Sequence, residues 1–171
     1  ELKVRSSMGQ GSTFRIYFPR ISSDQPDADR VNAAREHARG GTETILLVED
    51  DEPLRQLAAR VLRSAGYTVL DTRNPTDAVR TGTYYDGVID LLLTDVVMPE
   101  MSGRAVSEQL GRHRPAMRVL YMSGYTDDDV VRRGILTTRT ALLQKPFTPD
   151  QLARHVRQAL DDRTSALVAS D

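Results

Sequence analysis

The chain has 171 residues, 39% of them hydrophobic, a formal net charge of −1 and no cysteine. That length suits one ordinary domain with flanking segments, and the slightly lean apolar fraction assigns part of it to linker or tail. The composition excludes disulfides, thiolate metal sites and thiol catalysis, lacks the basic surplus of a nucleic-acid binder, and contains no apolar run near the ~18 residues that span a membrane.

Glu1 is not a methionine, and the chain opens inside a strand-like pattern, which reads as an excised piece of a longer protein. No signal peptide is visible. The expectation is a soluble, cytoplasmic protein that touches neither nucleic acid nor membrane. Leu2 and Val4 alternate with Lys3 and Arg5, as in a half-buried strand. Gly9-Gln10-Gly11 signals a turn. Phe14, Ile16 and Phe18 alternate with Thr13, Arg15 and Tyr17, and Pro19 ends this second strand. A lone hairpin is marginal in water, so it is expected to be poorly ordered. Residues 21–41 are polar, with almost nothing apolar to pack, and read as a flexible linker.

From Thr44 onward, short apolar runs alternate with amphipathic segments. The runs are 45–48, 68–70, 88–93, 119–122 and 141–143, with 68–70 the weakest. Such short continuous runs fit strands buried on both faces of a parallel sheet. Between them, Leu54, Leu57, Ala58, Val61 and Leu62 recur on one helical face, with Asp51 as cap and Pro53 in the first turn. Asn74-Pro75 opens a second helix, and Val106 and Leu110 mark a third after Gly103. Thr126 with Asp129 opens a fourth. Thr148-Pro149-Asp150-Gln151 caps a fifth, whose buried stripe is Leu152, Val156 and Ala159. Five strands alternating with five helices predict an α/β fold: a doubly wound, five-stranded parallel sheet flanked by five helices. The ligand site of such a fold lies at the carboxyl ends of the strands, at the topological switch point.

Those ends carry the chemistry. The first run ends in Glu49-Asp50-Asp51, the third in Thr94-Asp95, the fourth in Ser123-Gly124 and the fifth in Gln144-Lys145-Pro146. Carboxylates gathered on adjacent loops repel unless a cation joins them, and oxygen donors without His or Cys favour Mg2+ over zinc. Mg2+, a lysine and a hydroxyl donor together can stabilise the equatorial oxygens of a phosphoryl group in transfer, and a carboxylate in such a site can act as nucleophile. Taken alone, an Asp at a strand end is most often a cap, a Lys a solvated surface residue and a Ser a partner for backbone groups. Asp51 is read as a cap, and His37, His113 and His155 as ordinary surface residues.

The motifs resemble those of response-regulator receiver domains. Residues 45–51 are similar to the family's acidic first strand, and residues 92–103 to its phosphoacceptor segment almost residue for residue. Met122-Ser123-Gly124-Tyr125 is similar to the hydroxyl-bearing strand end, and Leu143-Gln144-Lys145-Pro146-Phe147 to the lysine motif, with its typically cis Lys-Pro bond. The four occur in order over about 120 residues, so the resemblance implies a flavodoxin-like receiver domain over 42–162 and a disordered tail over 163–171. It implies Asp95 as phosphoacceptor, and Asp50 and Asp95 as direct Mg2+ ligands. Glu49 would act through a water and the Val97 backbone carbonyl would be a further ligand. Ser123 would hydrogen-bond the phosphoryl group, and Lys145 would pair with Asp95 and then with the phosphoryl oxygens. The usual switch aromatic, three residues before the lysine, is replaced by Leu142, which implies a muted conformational response. Val97 and Tyr125, at the positions flanking the attacking water, imply slow self-dephosphorylation.

Residues 4–19 resemble the end of a histidine-kinase ATPase domain, so 1–20 is taken as its C-terminal remnant and the parent as a hybrid sensor histidine kinase. The donor would be a phosphohistidine domain of the same parent chain, with a histidine phosphotransfer domain as a further partner. The piece itself lacks the kinase's ATP site. Two other readings stand beside this one: a receiver-like docking module that is never phosphorylated, and a Mg2+-dependent phosphohydrolase. The latter typically places a second Asp two residues after the nucleophile, where this sequence has Val97.

Overall fold

A computed structural model describes residues 2–7, 9, 11–17, 40–124 and 141–162. The chain divides into two units, Glu1–Ala33 and Ala34–Asp171. In the first, β1 (Leu2–Ser7) and β2 (Gly11–Ile16) pair antiparallel over six residues each, with Val4 opposite Phe14. Gly9 and Gly11 both take positive φ, 77° and 84°, the left-handed backbone that glycine adopts without steric cost. The hairpin expected to be poorly ordered is thus fully paired. Val4, Phe14 and Ile16 on it are nonetheless exposed.

The second unit holds five strands: β3 (Thr44–Val48), β4 (Thr68–Thr72), β5 (Leu91–Asp95), β6 (Arg118–Ser123) and β7 (Ala141–Gln144). All pair in parallel, in the order β4-β3-β5-β6-β7. Four helices alternate with them among the described residues: α1 (Glu52–Ser64), α2 (Pro75–Tyr84), α3 (Gly103–Gly111) and α4 (Pro149–Asp161). The helix expected to open at Thr126 lies outside the described residues, as do the greater part of the linker and all of the tail.

The leucine-rich strands are buried on both faces because each face has its own helices. Ile45, Leu47, Leu91, Leu93, Leu120 and Met122 pack with α1 and α4. Leu46, Val48, Leu92, Val119 and Tyr121 pack on the other side with α2 and α3. Each fully buried leucine contributes about 1.5–3 kcal/mol, so alternate residues of one strand anchor opposite layers. Helix starts follow the expected caps: Asp51, Asn74 and Ser102 each accept a backbone N–H three residues on, and Thr148 with Gln151 forms a full capping box.

Two details differ from the sequence reading. The buried stripe of α1 is Arg55, Ala58, Ala59 and Leu62, whereas Leu57 is 44% exposed. And β5 begins at Leu91, not Val88, which is 71% exposed. Asp90 sets that start: its N–H donates to the Thr44 carbonyl and its carboxylate accepts the Thr44 N–H at 2.8 Å.

Candidate functional site

The chain leaves β3 toward β4 on one side and reaches β5 on the other, so the switch point falls between the carboxyl ends of β3 and β5. Glu49 and Asp50 follow β3, and Asp95 closes β5. One carboxylate oxygen from each of the three lies within 4.8 Å of the others. Lys145, just past β7, reaches into the group. Its Nζ donates to Asp95 Oδ2 at 2.6 Å and to Glu49 Oε2 at 2.7 Å. The side chains of Lys145, Asp95 and Glu49 are 18%, 15% and 1% exposed, whereas Asp50 is exposed.

Backbone bonds fix the rest. The Val97 N–H donates to Asp95 Oδ1 at 3.1 Å, so both oxygens of that carboxylate are held. Val97 is 57% exposed. The Lys145 N–H donates to the Ser123 carbonyl at 2.7 Å, joining the β6 and β7 ends. Ser123 is buried at the tip of β6, one residue past the partner of Asp95 in the sheet register. The Lys145–Pro146 bond is cis. Asp51 caps α1 through the Leu54 N–H at 2.9 Å, the role read for it. Tyr125 lies outside the described residues.

Gly103 explains how α3 can start so close to the site. A Cβ there would sit 2.0 Å from the Asp95 carbonyl oxygen and 2.8 Å from Thr94 Oγ1. Only glycine fits. Glu100, in the same loop, takes a positive φ of 69°, a conformation that costs a non-glycine residue on the order of 1 kcal/mol or more and is held by its surroundings.

Burial raises the Glu49 carboxyl above its usual range, with the Lys145 ammonium pulling it partly back. For Lys145, burial works against the charge, but the hydrogen bonds to Asp95 and Glu49 outweigh it and the net direction is upward. The lysine therefore stays protonated and offsets one of three carboxylates. Excess negative charge remains, presented by hard oxygen donors with no His or Cys among them. That donor set fits a small divalent cation such as Mg2+.

Glu49, Asp50, Asp95 and Lys145 are therefore brought together, with Ser123 and Val97 at the adjoining ends. The sequence reading missed Arg55. Its signal was present: residues 55, 58, 59 and 62 follow the i, i+3, i+4, i+7 spacing of a buried face, and a charged residue in such a stripe is unusual.

Residues 45–157 match the family described as response regulator receiver domain. Sensor kinase CckA of Brucella abortus (strain 2308) is 33% identical over 162 residues, covering 91% of this chain and 17% of that protein. The response regulator receiver protein CpdR of the same organism is 29% identical over 132 residues, covering 74% of this chain and 98% of that protein. Among solved structures, the receiver domain from hybrid histidine kinase CckA aligns with a TM-score of 0.58 at 33% identity, over 68% of this chain and 98% of that one. The chain thus spans about a sixth of the sensor kinase it matches.

Proposed function

The chain belongs to the response regulator receiver family and carries a receiver domain of two-component systems; from that premise we propose that it takes a phosphoryl group from a phosphohistidine onto Asp95. The observation that carries this reading is the single ammonium of Lys145 shared between Asp95 and Glu49 at the switch point, beside Asp50. An oxygen of the Asp95 carboxylate attacks phosphorus in line. The P–N bond breaks as the P–O bond forms, the electron pair returns to the imidazole nitrogen, and an aspartyl phosphate results. Val97 N–H keeps the carboxylate oriented during attack. Lys145 moves from the carboxylate to the phosphoryl oxygens, and the Ser123 hydroxyl donates to one of them. Asp50, Asp95 and the Val97 carbonyl, with Glu49 through a water, would hold Mg2+, which would supply neutralising charge at the phosphoryl oxygens.

The similarity to CckA extends over 91% of the chain. It supports reading residues 1–20 as the end of a kinase ATPase domain and 42–162 as the receiver of a hybrid kinase. The donor is then a phosphohistidine domain of the same parent, a histidine phosphotransfer domain is the next acceptor, and the work is done in the cytoplasm. Among the described residues no helix is long and apolar enough to cross a membrane.

The test is incubation with acetyl phosphate and Mg2+ followed by intact mass. One added phosphoryl group that needs Mg2+, and is lost in a folded Asp95→Asn variant, is the expected result. No added mass in the parent protein would leave a docking module, and undiminished labelling of Asp95→Asn would remove Asp95 from its role.

A further inference from the structure

Helix α1 turns a charged residue toward the sheet. Arg55 is only 7% exposed, and a buried guanidinium is costly unless its N–H groups find acceptors. Nη1 donates to the Glu49 backbone carbonyl at 2.9 Å. Nη2 is paired with Glu52, and Nε lies 3.8 Å from Asp71 Oδ2 on β4. The bond to Glu49 matters most. Glu49 follows Val48, the last paired residue of β3, and its N–H is already given to the Thr72 carbonyl at 3.3 Å. Its own carbonyl lies past the ladder on a residue that is 1% exposed. Arg55 supplies the partner. Glu49, the residue leading into Asp50, is therefore held at both its N–H and its carbonyl, and Asp50 and Arg55 line one cleft.

We propose that Arg55 is a positioning residue for the divalent-cation site: by holding the Glu49 carbonyl it fixes the direction of the Asp50 carboxylate. This rests on the reading of Glu49, Asp50 and Asp95 as that site. A guanidinium near three carboxylates also opposes cation binding by charge alone. The two effects have opposite signs, so variants separate them. Arg55→Met removes the bond and the charge. Arg55→Lys keeps the charge and loses the planar fork.

The experiment is an Mg2+ titration of the full chain, followed by amide NMR shifts around Asp95, with circular dichroism confirming the fold of each variant. Arg55→Met is expected to raise the Mg2+ Kd about tenfold, about 1.4 kcal/mol, as loss of an outer-shell partner does, and Arg55→Lys to raise it by less. Acetyl-phosphate labelling slows in both and recovers when Mg2+ is raised, which a loss of fold would not do. An unchanged Kd in folded Arg55→Met reduces Arg55 to a structural residue, and a lower Kd makes its effect one of charge; either overturns the proposal. Should Arg55→Met fail to fold, Arg55→Lys decides, with an unchanged Kd overturning it. Asp50→Asn runs alongside: if it leaves the Kd untouched, the metal-site reading itself falls, a result distinct from any outcome at Arg55.

Discussion

Replacing Lys145 with methionine perturbs the site in two opposite directions. The ammonium lies 2.7 Å from Glu49 and 2.6 Å from Asp95, and Glu49 is almost wholly buried. Without the lysine, Glu49 keeps a 3.4 Å bond from the Asp51 N–H and no cation among the described partners. Stripping one member from a buried ion pair costs about 3–5 kcal/mol. Two features reduce that figure. Lys145 and Asp95 retain some solvent contact, and Glu49, whose pKa burial already raises, can take up a proton. A loss of about 2 kcal/mol is expected, lowering Tm by roughly 6–8 °C for a domain of this size. The carboxylate cluster meanwhile loses its only described ammonium, so Mg2+ should raise the Tm of Lys145→Met by more than it raises that of the parent. Phosphoryl transfer should slow about a hundredfold at saturating Mg2+, the scale of losing one preorganised donor. Differential scanning calorimetry with and without Mg2+, beside acetyl-phosphate labelling rates, reads all three. An equal or smaller Mg2+ shift in the variant would show that Lys145 does not neutralise the carboxylates that draw the cation.

Gly103→Ala should destabilise by about 1–3 kcal/mol despite alanine's better helix propensity, because the new Cβ meets the Asp95 backbone oxygen, which cannot swing away; an unchanged urea midpoint would show that the loop yields. The Tyr121 phenol is pushed above its usual range by burial, with its 2.6 Å bond to Ser107 pulling partly back. A phenol with a raised folded pKa contributes stability that is fully present below the unfolded value near 10 and is lost as pH rises through the folded value. Tyr121→Phe should cost about 1 kcal/mol at neutral pH and flatten the alkaline decline, and parallel pH curves would contradict this. The Val97→Asn, Tyr125→Glu double variant, which adds water-orienting groups, should shorten the phosphoryl half-life in excess Mg2+ about tenfold; an equal or longer half-life would show that these positions do not control access.

Most of the site was legible because it sits at strand ends, where a short apolar run stops on a polar residue. Glu49, Asp95, Ser123 and Lys145 follow or end such runs, and a parallel sheet brings those ends to one edge. The caps at Asp51, Asn74 and Thr148 were legible for a local reason: the accepting side chain and the backbone N–H that donates to it lie three residues apart. What was hidden depends on partners distant in sequence. Arg55 has the spacing of a buried position, but its role shows only once Asp71 and the Glu49 carbonyl are placed around it. Leu57 fits the apolar pattern equally well yet faces solvent, since the rotation of α1 is set by what packs beneath it. Val88 extends an apolar run that Asp90 cuts short by bonding to Thr44.

The central claim is that the phosphoryl group resides on Asp95 as an acyl phosphate. Borohydride reduces an acyl phosphate of aspartate to homoserine, so reduction after phosphorylation, followed by peptide mapping, marks the residue directly. The account predicts homoserine at position 95 alone, formed only when Mg2+ was present during labelling. Homoserine at another aspartate, or a phosphate that resists reduction and remains on a hydroxyl or imidazole, would contradict it.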